Sequence, residues 1–149
     1  MRYLYLDIET ESDCDLPLQG GMAYAQHPST QDICMFWKLD EGEYNGWFSE
    51  DGPMPSDLFD YLNSSNLDDK LVAHYATFER LFFEYQGHRH GLPEIDLRRW
   101  VCSSATCMAV GLPGKLADLA RALDLDVKKM TEGRRLIKEY CSPNRLPEF

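Results

Sequence analysis

The sequence predicts an α/β fold, a mixed β-sheet flanked by helices. Apolar runs of strand length at residues 2–7 and 70–74 bracket a candidate antiparallel hairpin, and beyond residue 70 strand and helix patterns alternate. At 149 residues the chain is read as one domain, large enough to bury a real core.

The elements follow in order. Residues 2–7 (RYLYLD) form the first strand. Residues 11–21 are polar and carry Pro17, Gly20 and Gly21, a loop signature. Residues 31–39 (QDICMFWKL) and 43–49 (EYNGWFS) read as the second and third strands, and the turn at Asp40-Glu41-Gly42 fits a hairpin between them. A short helix over 55–62 begins at Pro55 or Ser56, with Leu58, Phe59 and Leu62 on one face. Residues 70–74 (KLVAH) form a buried strand. The following helix, 77–86, places Phe78, Leu81, Phe82 and Tyr85 at i, i+3, i+4 and i+7.

Residues 87–93 break the pattern, and 100–102 supply a short last strand. A helix over 103–110 ends at Gly111-Leu112-Pro113-Gly114. The next, 115–123, carries an apolar face of Leu116, Leu119, Ala120 and Leu123. A final helix over 131–140 has Thr131 as its cap and is weakened by Gly133. Trp37, Trp47 and Trp100 are read as packing residues. His27, His88 and His90 fall in loops and receive no role.

The formal charge of −10 is unfavourable for nucleic-acid binding, which draws on Lys and Arg. It is unevenly placed. Residues 1–69 hold 15 acids against Arg2 and Lys38, a net of −13, whereas residues 70–149 hold 13 bases against 10 acids, a net of +3. The acidic excess reads as a solvated face or a surface for a basic partner. Lys128, Lys129, Arg134, Arg135 and Lys138 form one basic cluster, able to hold DNA phosphates or simply to face solvent. No apolar run is long enough to span a membrane and no signal peptide is visible. The five cysteines (Cys14, Cys34, Cys102, Cys107, Cys141) show no CxxC pairing. They are read as reduced thiols, with a cytoplasmic location expected.

Chemistry concentrates in Asp7-Ile8-Glu9. Side chains i and i+2 of a strand share a face, so Asp7 and Glu9 project together. Two neighbouring carboxylates repel unless a cation lies between them, and oxygen-rich sites of this kind suit Mg²⁺ or Mn²⁺. The alternative is a strand edge with two solvated acids. Glu79 lies beside the apolar face of the 77–86 helix, in the first turn, where the helix end favours an anion. Taken alone it reads more readily as a solvated glutamate.

Together, Asp7-x-Glu9 and Tyr75-x-x-x-Glu79 resemble the first two motifs of the DEDD (DnaQ-like) 3′–5′ exonuclease superfamily. The likeness is greatest to the proofreading exonuclease domain of phage family A DNA polymerases. It runs collinearly through DIETES, YAQHPST, GPMPSDL, AHYATFERLFFE, RRWVCSSA, GLPGKLADLARALDL and EGRRLIKEYCSP. The resemblance implies a ribonuclease H-like fold with the first strand central and the acids gathered at one end of the sheet. It implies DNA 3′ ends as substrate and a two-metal site, in which Asp7 bridges both ions, Glu9 binds the nucleophile-side ion and Glu79 acts through the second motif. Thr10 would face the terminal nucleotide. His74 would contact the strand or serve as a structural group. Tyr75 would stack on a base or fill space.

Two departures stand out. The second-motif Asn of the family is Tyr75 here. The family's fourth acid, an Asp on a C-terminal helix beside a Tyr or a His, has no counterpart, since neither Tyr-x-x-x-Asp nor His-x-x-x-x-Asp occurs in residues 111–149. The expectation is therefore an exonuclease-like domain without its last helix. Three readings stay open: another chain, such as a separate polymerase chain, completes the site; the three acids cleave weakly alone; or the chain is an inactive relative that binds a protein, in the host or elsewhere, through its acidic surface.

Overall fold

The computed structural model describes residues 1–126 together with Gly133, Arg135 and Cys141. It is an α/β structure built on a five-stranded mixed sheet flanked by helices, consistent with a ribonuclease H-like arrangement. The strands are β1 (Arg2–Glu11), β2 (Gln31–Leu39), β3 (Tyr44–Phe48), β4 (Asp69–Ala73) and β5 (Trp100–Cys102), in the spatial order β3-β2-β1-β4-β5. β1 is central, antiparallel to β2 and parallel to β4, and β5 continues the parallel half.

The pleat of β1 sorts its side chains. Leu4, Leu6 and Ile8 enter a core completed by Met35 and Trp37 of β2, Trp47 of β3, Leu71 of β4, and Phe82 and Phe83 from a helix. Burying aliphatic and aromatic side chains of this size contributes about 1.5–3 kcal/mol each. All three tryptophans pack as expected, Trp100 at the core margin.

The helices are α1 (Leu16–Gln26), α2 (Ser56–Leu62), α3 (Thr77–Gln86), α4 (Ser103–Ala109) and α5 (Leu116–Ala122). Three expectations require correction. The loop expected over 11–21 is confined to residues 12–15, since Glu11 ends β1 and residues 16–21 form the first half of α1. The Asp15 side chain caps α1 by accepting from the Leu18 N–H, and Pro17 occupies the first turn, where its missing N–H costs nothing. Gly20, with φ 83°, kinks the helix. The loop-like residues thus act as a start signal and a bend.

The buried stripe of α3 is rotated from the expected one. Glu79, Leu81, Phe82, Phe83 and Gln86 are buried, whereas Phe78 and Tyr85 are half-buried. Gln86 tolerates burial because its amide donates to the Ala25 carbonyl at 2.6 Å, tying α3 to α1. In α5 only Leu119 is buried, and Leu116 and Leu123 are exposed. An apolar stripe in sequence identifies a face without identifying what covers it. Of the expected final helix, all but Gly133 and Arg135 lies outside the described residues, as do Lys128, Lys129, Arg134 and Lys138.

Candidate functional site

The parallel pairing of β1 with β4 ends at Tyr5↔Val72, so Asp7 and Glu9 lie beyond it, at the carboxyl ends of the two strands. Beside β2 the pairing continues, Asp7 opposite Phe36 and Glu9 opposite Cys34, with a register shift between Glu9 and Thr10. From the end of β4 a three-residue turn, His74 to Ala76, leads into α3 and places Glu79 in its first turn. Crevices outside the carboxyl ends of parallel strands are where open α/β sheets hold ligands.

Glu79 is only 4 % exposed, and its Oε2 has no hydrogen-bond partner. Burial pushes its carboxyl up to about 7, and the charges of Asp7 and Glu9 push in the same direction, while its own backbone N–H opposes them. The three acids therefore share one electrostatic neighbourhood. The thiols nearby respond to the same field. Burial, then Glu9 and Asp7, raises Cys34, and burial, then Glu9, raises Cys141 to about 11. Cys141 Sγ lies 3.8 Å from Glu9 Oε2.

Oxygen donors of this kind match a hard divalent cation, and the unmet oxygen of Glu79 is the sort of atom such an ion satisfies. The donor set fits in kind. The grouping is not closed, because among the described residues no three His, Cys, Asp or Glu side chains converge into a ready metal-binding group.

The remaining expected residues surround this end of the sheet. Thr10 is buried, its hydroxyl 2.9 Å from the Tyr24 hydroxyl, so it anchors α1 to β1. His74 is held at both ring nitrogens, by the Ser103 hydroxyl at 3.0 Å and the Gly114 carbonyl at 2.8 Å. A carbonyl only accepts, so Nε2 carries the proton. This geometry favours the structural role for His74, which ties β4 to the loop before α5. Tyr75 is half-exposed with φ 64°, its ring edge-on to His74 at 5.1 Å.

Sequence reasoning missed several residues that build this neighbourhood. Tyr24 had no signal, because the first half of its helix was read as a loop and the second half was given no element. The part-buried His90–Asp32 pair, 2.9 Å apart, joins a histidine after α3 to β2 across 58 residues.

No protein-family model matches the chain. Among curated proteins one sequence similarity stands out. The chain is similar to a phage DNA polymerase. It is 28 % identical over 144 residues to the DNA polymerase of Bacillus phage SP02, an alignment covering 96 % of this chain and 21 % of that protein. The chain thus spans about a fifth of the length of this relative. Among the described residues no helix is long and apolar enough to cross a membrane.

Proposed function

We propose that the chain is a metal-dependent 3′–5′ exonuclease domain of the DEDD type, acting on DNA 3′ ends as a proofreading-type part of a phage polymerase system. The observation that carries this reading is that three acids from two separate elements, Asp7 and Glu9 from β1 and Glu79 from α3, share one electrostatic neighbourhood at the carboxyl ends of the parallel strands. Asp7, Glu9 and Glu79 would hold Mg²⁺ or Mn²⁺. When bound, a pair of such ions stabilises the attacking and leaving oxygens of an in-line phosphodiester cleavage. Asp7, the more exposed acid, faces the incoming strand end, and Glu79 supplies a carboxylate from the dry side. Half-exposed Tyr75 offers a face for base stacking, worth ~1–3 kcal/mol in single-strand binders.

The fourth acid of the family has no counterpart in this sequence, so another chain or segment completes the site, and the isolated protein is a slow enzyme. The test is degradation of 3′-labelled single-stranded DNA with Mg²⁺ or Mn²⁺, comparing wild type with Asp7→Ala/Glu9→Ala. Slow, stepwise cleavage absent from the variant supports the reading. Cleavage that survives in the variant sinks it.

The open grouping of the acids and the net of −13 over residues 1–69 favour a second reading, an inactive exonuclease-like protein whose acidic surface binds a protein partner. Absence of cleavage by wild type under both metals moves the weight there.

A further inference from the structure

β3 is an edge strand. Its inner side pairs with β2 from Cys34↔Phe48 to Lys38↔Tyr44, and among the described residues no strand pairs with its outer side. Alternate residues of such a strand turn N–H and C=O groups outward, a template for another extended chain. Proteins commonly blunt this hazard with a lysine, a proline or a bulge on the edge. The sequence of β3, Tyr-Asn-Gly-Trp-Phe, holds no lysine or proline, and its pairing with β2 runs without a register shift.

The strand is rigidly held from below and open above. Trp47 is buried in the core, whereas Tyr44 is 83 % exposed and Phe48 43 % exposed. Directly opposed residues of an antiparallel pair share a face, which puts Tyr44, Gly46 and Phe48 beside Lys38, Phe36 and Cys34 of β2, with Tyr5 of β1 beyond Lys38. The Lys38 ammonium, the one base in this row, lies 5.0 Å from the Tyr44 ring centroid. Phe36 is 46 % exposed and packs edge-on against Phe48 with ring centroids 5.9 Å apart. It lies across Gly46 so closely that a Cβ there would come within 2.7 Å of the ring. The result is an aromatic shelf running up to an open backbone edge.

Charge then selects the occupant. Residues 40–51, which contain β3 and both of its flanks, carry Asp40, Glu41, Glu43, Glu50 and Asp51 and no Lys or Arg. A nucleic-acid strand would meet like charge here, whereas a basic chain meets its complement. We infer that β3 is a docking edge for an extended, basic segment of another protein, which adds a strand to the sheet and lays its apolar side chains on Tyr44, Phe36 and Phe48. Main-chain pairing supplies the affinity in this mode, and side-chain pockets and charge supply the selectivity. Strands lie about 4.8 Å apart, so the guest, three strands away, would run about 14 Å from the Asp7 row of β1, without touching the acids. The inference holds whether or not those acids cleave DNA.

The probe is an end-blocked heptapeptide, Lys-Val-Lys-Val-Lys-Val-Lys, titrated into the ¹⁵N-labelled full chain. The expected result is chemical-shift change centred on the amides of residues 44–48, with affinity falling about tenfold between low and physiological ionic strength. N-methylation of alternate peptide amides should weaken binding at least tenfold, and replacement of every Lys by Glu should abolish it. Glu43→Lys and Tyr44→Lys, both at exposed positions, should weaken binding severalfold without altering the thermal melt, and Asp7→Ala should leave binding unchanged. Shifts centred elsewhere, equal binding of the N-methylated peptide, or displacement by oligothymidylate of the same length would each overturn the inference.

Discussion

Buried charge flanks β1 at both of its ends, Asp69 and Arg99 at the start and Glu79 at the other, and the two ends treat it in opposite ways. At the start, Arg2 pairs across to Asp69, its guanidinium donating to both carboxylate oxygens at 2.8 and 2.7 Å. Ser64 adds a third bond at 2.7 Å. Beside them Arg99, 1 % exposed, donates to the carbonyls of Tyr61, Leu62, Ser64 and Asp69 at 2.6–2.8 Å. It thereby satisfies carbonyls at the C-terminal end of α2, where a cation also suits the helix dipole. Opposite charge and complete hydrogen bonding hold Asp69 well below the usual carboxylate range, the Arg2 hydrogen bond first among the causes. At the other end, burial, with the like charges of Asp7 and Glu9 nearby, pushes Glu79 up to about 7. One end is finished as structure. The other stays electrostatically incomplete, as expected where a site awaits a ligand.

The largest effect expected from this contrast is catalytic. Asp7→Ala/Glu9→Ala should lower metal-dependent cleavage of a 3′-labelled strand by ~10²–10³-fold or to background, while its urea midpoint stays at or above that of wild type. A large loss of stability in this variant would contradict the division of roles. Next comes Arg99→Met, which removes the guanidinium donor from four carbonyls, of which that of Tyr61 keeps a second bond, from the Ser64 N–H. Each orphaned group costs about 1–3 kcal/mol, so denaturant unfolding should show a loss of about 3–5 kcal/mol. Lysine should not rescue it, because one ammonium cannot reproduce the guanidinium fork.

The two ends should also respond to pH in opposite directions. Glu79 has a folded value of about 7 against an ordinary value of 4.5, so the folded protein binds more protons between them. Metal-free stability should therefore fall as pH rises from about 4.5 through about 7, by about 3 kcal/mol at most, at ~1.4 kcal/mol per unit. Glu79→Gln should flatten that slope, which melts recorded from pH 5 to 8 would read directly. An unchanged slope would mean that Glu79 is solvated. Asp69, with its lowered value, contributes stability present above its unfolded value and lost as pH falls through its folded one. Arg2→Ala should move the acid-unfolding midpoint to higher pH, the smallest of these effects because the Arg2 side chain is half-exposed.

Much of this was legible in the sequence. β2, α3 and β5 fall on their expected bounds because an apolar run or a 3.6-residue period marks them without ambiguity. Asp7 and Glu9 were found as a pair because strand periodicity alone puts them on one face. The burial of Glu79 was not legible, since a glutamate in a first helical turn looks the same whether it faces water or a sheet edge. Arg99 carried no signal either. Its partners are backbone carbonyls 30 to 38 residues away, and main-chain acceptors leave no mark on a sequence. The α1 error has the opposite origin, for Pro17 and Gly20 are genuine breakers that here begin and bend a helix.

The order of the strands has a consequence for how the chain is made. β1, β2 and β3 are neighbours in both sequence and space, but the other flank of β1 waits for β4, with Arg2 and its partner Asp69 67 residues apart. As the polypeptide leaves the ribosome, the first 48 residues can zip into a three-stranded meander long before that second flank exists. Through that interval β1 is an unprotected edge, and Leu4, Leu6 and Ile8 lack Leu71 of β4 and the α3 rings of Phe82 and Phe83. Closing so long a loop is slow compared with forming a hairpin. Interrupted synthesis between residues 48 and 69 should thus leave a sticky fragment, and the chain first becomes safe from aggregation when the 69–86 segment arrives.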